Sequence, residues 1–193
     1  MNFTEKDKKV FSAFCLVAEE CNHHSEISMT NIAKKLNISR QAFHKSYYKT
    51  PDEIINAFHY YMDKDIRAKF DEFSKTGCTN WVKFFANDFL PMIYEEREFL
   101  RVFYGPVADP SYLHFMEDSY SGYLRPYISE GTFPEIHSDL AARAIIRQVL
   151  ATISVWIRQP RPEPPLLFAK TFTYLLNNST DDLFTKRKDL NEK

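Results

Sequence analysis

Apolar positions recur at helical spacing along most of the chain, and alternating strand-like runs are missing. Val10, Phe11, Phe14, Cys15, Val17, Ala18 and Cys21 line one side of a first helix, read from Thr4 as N-cap to Cys21. Ile32, Ala33 and Leu36 share one face of a short second helix capped by Ser28. Asn37 follows where the chain must turn sharply, and asparagine tolerates a left-handed backbone at small steric cost. Ile38 plugs the gap, and Ser39 caps a third helix in which only Ala42 and Phe43 are apolar. Thr50, Pro51 and Glu53 then combine an N-cap, a first-turn proline and a capping-box glutamate, which opens a longer helix.

Beyond this point the pattern predicts helices over Pro51 to Phe73, stopping before Gly77, and Asn80 to Tyr94, kinked or ended by Pro91. Further helices follow from Glu95 to Tyr104, ended by Gly105-Pro106, and from Ser111 to Leu124, ahead of Pro126. Tyr127 to Pro134 reads as a loop, and Ser138 caps a long helix to Arg158. The stiff connector QPRPEPP (159–165) leads to a last helix from Leu166 to Asn177. The fold class is therefore all-α with about nine helices. It divides into a three-helix head over 1–50, a helical body over 51–178, and a charged, apolar-poor tail over 179–193 that is expected to be flexible.

Composition narrows the class. At 193 residues, 44% hydrophobic, the chain has room for a large core. Charged residues Glu5 to Lys9 precede any apolar stretch, which is unlike a signal peptide, and no run of 18 apolar residues predicts a membrane span. Cys15, Cys21 and Cys78 are odd in number and lack CxxC spacing, which suits a reducing cytoplasm.

Charge is distributed unevenly. Between Ile27 and Thr50 stand Lys34, Lys35, Arg40, Lys45 and Lys49 with no Asp or Glu, although the whole chain carries a formal −1. Residues 1–50 hold eight basic and five acidic residues; the rest hold seventeen and twenty-one. A basic head on a mildly acidic body turns that head toward phosphate. The polar residues of the third helix can hydrogen-bond base edges or phosphates, with Arg favouring guanine and Gln adenine. The candidate DNA contacts are Ser28, Ser39, Arg40, Gln41, Ala42, His44, Lys45, Tyr48 and Lys49.

Residues 27–54 resemble the DNA-binding domain of TetR-type transcriptional regulators. The matching positions are Ser28, Ile32-Ala33, Asn37-Ile38-Ser39, Phe43 with Tyr47, and Ile54. Three positions depart from the pattern. Asn37 stands for the turn glycine, His44 for the tyrosine after Phe43, and Thr50-Pro51 for the lysine that opens the next helix. The phosphate contact of that lysine passes to Lys49 or is lost, and a contact made by His44 is expected to respond to pH near neutrality. The resemblance implies a ligand-responsive repressor that binds a near-palindromic double-stranded DNA operator as a homodimer, paired through the last two long helices. Two recognition helices would then lie about 34–36 Å apart.

Two body features bear on that implication. In the penultimate helix Asp139, Arg143, Arg147, Ser154 and Arg158 cluster within about a third of a turn, and the remainder is apolar, more than one core requires. The final helix has the same excess, so the candidate dimer contacts are Ile145, Val149, Ile153, Trp156, Phe168, Phe172 and Leu175. The body is also rich in aromatics, which either line a pocket or fill a core. The candidate pocket for a small apolar or aromatic effector comprises Phe58, Tyr61, Met62, Phe85, Phe89, Phe103, Tyr104, Tyr112 and Phe115.

Cys21, His23, His24 and Glu26 match no closed zinc spacing, so neither a metal nor a cofactor is expected. A nucleophile elbow, phosphate-cradling glycines and an HExxH are all missing, which argues against an enzyme. The alternatives are a DNA-binding coregulator whose body docks another protein and, more remotely, a helical enzyme assembled from distant residues.

Overall fold

A computed structural model describes residues 3–128 and 137–183; most of the loop expected after Tyr127 and most of the expected tail lie outside the described residues. Nine helices carry the described fold: α1 (Glu5–Glu19), α2 (Met29–Lys35), α3 (Arg40–Ser46), α4 (Pro51–Lys75), α5 (Trp81–Phe84, Phe85–Phe89 and Leu90–Glu95 in series), α6 (Arg97–Phe103), α7 (Tyr112–Leu124), α8 (Ser138–Ile157) and α9 (Pro165–Asn177). The start of the tail is not extended chain. A single helical turn forms at Thr180–Leu183, with the Ser179 hydroxyl donating to Asp182 at 2.6 Å.

Local chemistry accounts for the helix starts in the head. The side-chain oxygens of Thr4, Ser28, Ser39 and Thr50 each accept an N–H three residues on, from Asp7, Asn31, Ala42 and Glu53, at 3.1–3.2 Å. Asn37 takes a φ of 57°, alone among the described non-glycine residues in being positive, and makes the turn between α2 and α3. Glu53 returns its carboxylate to the Lys49 N–H at 2.7 Å, so the reciprocal bond lies one residue outside a regular capping box. Cys21 falls beyond the end of α1, half-buried against the core. Ser138 is the first helical residue of α8, with His137 in the cap position and no side-chain bond there.

The expected break at Pro91 takes another form. α5 begins as an ordinary helix, widens to a π turn over Phe85–Phe89 and resumes at Leu90. Proline has no N–H to return to the carbonyl four residues back, and the wide turn before it shifts the hydrogen-bond ladder so that the helix continues.

Aromatic packing ties these helices together. Phe58 of α4 stacks on Phe103 of α6 at 3.9 Å, and Phe3, Phe11 and Phe99 close around them. Phe14 of α1 stacks on the same Phe103. One core therefore runs across residue 50, where a domain boundary was expected. Farther from the head, Phe70 is ringed by Trp81, Phe84, Phe85, Phe89, Tyr120 and Tyr123. Trp156 of α8 stacks on Phe168 of α9 at 4.5 Å, and its indole N–H donates to the Glu163 carbonyl at 3.0 Å, which fastens the connector.

The polar strip of α8 meets a neighbouring helix. Glu117 of α7 is buried and accepts from Arg143 at 3.1 Å and from Arg147. Arg143 also reaches Asp118 at 2.6 Å and Asp139 at 3.1 Å. The Arg147 guanidinium holds the Glu117 carboxyl below the ordinary range despite burial. With one side clamped to α7 and another buried, α8 leaves a stripe of Leu140, Ala144, Gln148, Ala151 and Val155 exposed, Leu140 at 64% and Val155 at 71%. By length and composition alone α8 is long and apolar enough to cross a membrane, although Asp139, Arg143, Arg147 and Gln148 interrupt it and it holds no run of 18 apolar residues.

Candidate nucleic-acid interface

Helix α3 is held by little and shows much. Only Phe43 is buried, stacked on Tyr47 at 5.0 Å. The Lys6 ammonium sits over the Tyr47 ring at 4.4 Å and donates to the Ser46 carbonyl, placing a cation at the C-terminal end of α3, where the helix dipole favours it. Arg40, Gln41, Ala42, His44 and Lys45 are left exposed. Lys34, Arg40, Lys45 and Lys49 carry no ion pair among the described residues, whereas Lys35 is held by Glu20 at 2.5 Å. Ser28 and Ser39 use their oxygens as caps, and each retains a hydroxyl proton to donate.

Tyr48 does not join this surface. Its hydroxyl donates to Asp7 at 2.9 Å, and the Asp7 carboxylate also accepts from Tyr61 at 2.8 Å and from Thr4. Burial pushes the Asp7 carboxyl up, but the hydrogen bonds from Thr4, Tyr61 and Tyr48 and the charge of Lys6 outweigh it and leave the group below its ordinary range. Asp7 thus joins α1, the α3–α4 turn and α4, and fixes where α3 sits. It was missed in sequence, although Thr4 and Asp7 stand at cap-box spacing.

A second tie links head to body. His24, in the short turn His24–Glu26, donates from Nδ1 to the Val107 and Ala108 carbonyls at 3.0 and 3.1 Å, and its Nε2 lies 3.5 Å from Asp52. Next to Ala108 in the chain, Asp109 is buried with Oδ2 2.7 Å from His59 Nε2. Burial raises the Asp109 carboxyl, yet the hydrogen bonds of His59 and Ser111 prevail and lower it. His24 and Glu26, considered above as metal ligands, have other partners, since Glu26 accepts from the Asn22 N–H at 2.9 Å.

A family model for the C-terminal region of TetR-type transcriptional regulators matches residues 79–178, just over half of the chain. The chain belongs to the TetR family. It is a transcriptional regulator with an all-helical fold. A search of curated proteins found no match. The matched region begins in the segment before α5, so the reading of the head rests on its own geometry.

In this TetR-family body the expected pocket residues do not converge on one space. Phe58, Met62, Phe89, Phe103, Tyr104 and Tyr112 are buried in packing, and Tyr61 is engaged by Asp7. Phe85 lines a cavity of about 490 Å³ beside α8, and Phe115 a separate one of about 470 Å³ at the head–body junction. The expected dimer residues also divide. Val149, Ile153, Trp156, Phe168 and Phe172 face inward, Leu175 is half-buried, and Ile145 is exposed. The uncovered apolar surface is carried instead by Leu140 and Val155 with Leu166, Leu167 and Tyr174 of α9. The apolar excess on both helices was visible in sequence, but its outward side was not, because the direction of the arginine strip depends on buried Glu117.

Proposed function

We propose that this regulator acts in the cytoplasm as a ligand-responsive repressor, gripping a near-palindromic operator as a homodimer with α3 of each subunit in successive major grooves. The observation that carries the reading is the outward face of α3, where Arg40, Gln41, Ala42, His44 and Lys45 stand free on a helix fixed by Phe43 and Lys6. Arg40 reads guanine and Gln41 adenine, and Ala42 packs on a thymine methyl. Lys34, Lys45 and Lys49, with the hydroxyls of Ser28 and Ser39, hold phosphates and set the register. Dimerisation uses the exposed stripe of α8 with Leu166, Leu167 and Tyr174 of α9, which gives two half-sites with about 34–36 Å between them. A small apolar or aromatic effector in the body weakens DNA binding by favouring a different spacing of the heads.

Selecting bound fragments from genomic DNA and then titrating salt tests this reading. With three lysines per subunit on phosphates, the log–log slope of affinity against salt is expected near −5, from about 0.9 per phosphate. Binding that ignores salt, or selected fragments without twofold symmetry, would overturn the operator reading. In the second reading the body docks another protein, which the same exposed apolar face favours. Sedimentation of the pure chain separates the two, because a dimer supports the first and a monomer that pairs only with a different protein supports the second.

A further inference from the structure

We propose that the segment Val107–Asp109 is a proton-controlled latch between head and body, closed by positively charged His24 and His59 and loosened when those imidazoles lose their charge. Three consecutive residues are gripped by two histidines from different elements. His24, in the turn ahead of α2, holds the Val107 and Ala108 carbonyls, and His59 of α4 holds the Asp109 carboxylate. Pro106 and Pro110 bracket the segment and have no N–H with which to tie it to α6 or α7.

The surroundings of His24 favour the imidazolium. Both acceptors at Nδ1 are carbonyl oxygens, 3.0 and 3.1 Å away, so that nitrogen carries a proton. A neutral ring then has only a lone pair on Nε2, which lies 3.5 Å from the Asp52 carboxylate. Protonation turns that opposition into attraction and lets the ring donate on both sides. His59 needs its charge for a different reason. Its partner Asp109 is 5% exposed, and a buried carboxylate is costly without a countercharge. The His59 ring also stacks on Phe115 at 4.4 Å, an electron-rich face that suits a cation.

The other groups around the junction are of fixed charge or none. Its cavity of about 470 Å³ is lined by Asp52 and Asp109 with Asn56 and Ser111, and among the described residues by no Lys or Arg. Burial raises the Asp109 carboxyl, but His59 and Ser111 hold it below the ordinary range, and it stays ionised at neutral pH. Tyr112, 5.2 Å from His59, is kept neutral by burial. Behind Val107 and Ala108 stand Arg158 and the Glu19–Arg101 pair at 2.5 Å, with the Cys21 thiol raised by burial. Histidine is the side chain that changes charge between about pH 5 and 8. Proton binding and closure favour each other, so the latch is firm at the acid end of that window and loosens as pH rises through it.

Hydrogen exchange of the intact protein, read by mass spectrometry and corrected for the intrinsic rate, tests the latch. Charge-assisted bonds are roughly twice as strong as neutral ones, so wild type should show the Val107, Ala108 and Asp109 amides about tenfold less protected at about pH 8 than at about pH 6. His24→Asn and His59→Gln together keep a neutral donor near Nδ1 and Nε2 but cannot take up the proton, and that double variant should exchange equally at both pH values. Protection in wild type that ignores pH, a change shared equally by α8, or a double variant with the wild-type response overturns the latch. If circular dichroism shows the double variant unfolded, His24→Asn alone takes its place and should give a smaller response than wild type; an equal response overturns the latch. The latch does not depend on the operator reading, so an intact exchange difference in a chain that binds no DNA overturns that reading alone.

Discussion

Helices α3 and α8 both leave a face without a partner among the described residues, and the two faces are chemically opposite. On α3 the uncovered residues are Arg40, Gln41, His44 and Lys45, which water solvates at little cost; on α8 they are Leu140, Ala144, Ala151 and Val155, which it does not. A solvated face can wait for DNA indefinitely. An apolar face is penalised by about 25 cal/mol for each Å² left wet, so its partner should be a permanent part of the protein. On the proposed reading recognition belongs to α3 and assembly to α8, and each half of that reading can be broken separately.

The largest effect is expected from Val155→Arg. Because Val155 is 71% exposed, the chain should stay folded but sediment as a monomer, and operator affinity should fall by about 10²–10⁴ as the second half-site is lost. If Val155→Arg remains a dimer, assembly does not run through α8. A smaller loss, about 1–3 kcal/mol in operator affinity, is expected from Arg40→Ala, with the dimer and thermal stability unchanged and sequence preference relaxed at one position. An equal loss on every DNA sequence would make Arg40 a phosphate contact.

The smallest effect belongs to the residue that aims α3. Asp7→Asn keeps the shape but weakens the bonds from Thr4, Tyr48 and Tyr61, and about 1 kcal/mol of stability should go with them. The sign of its pH dependence follows from the lowered carboxyl. A group with a folded-state value below the unfolded one adds stability above about pH 4, and this is lost as pH falls through the folded value. Thermal melts of wild type should therefore fall more steeply below about pH 4 than those of Asp7→Asn; parallel curves would free Asp7 of this role.

What could be read in the sequence tracks the distance over which each feature is decided. Ser28, Asn37, Ser39 and Thr50 act on neighbours three residues away or on their own backbone, and all were legible. Tyr48 looked like a DNA contact because Asp7, its partner, is 41 residues distant. Aromatic abundance in the body said nothing about residual volume, which depends on smaller residues such as Thr79, Val82 and Val149 meeting at one edge. The helices themselves were legible because their apolar period persists through every segment. The continuation of α5 past Pro91 was not, since a π turn has no residue signature of its own.

The core that crosses residue 50 bears on how such a protein can be rebuilt. Cutting there would strip Phe11 and Phe14 from Phe58 and Phe103, and Asp7 from Tyr61. The head of this regulator is therefore no interchangeable cartridge. A chimera that borrows this head must also carry the first turns of α4 and the aromatic face of α6, so the seam for grafting lies well inside what would otherwise be taken as the body.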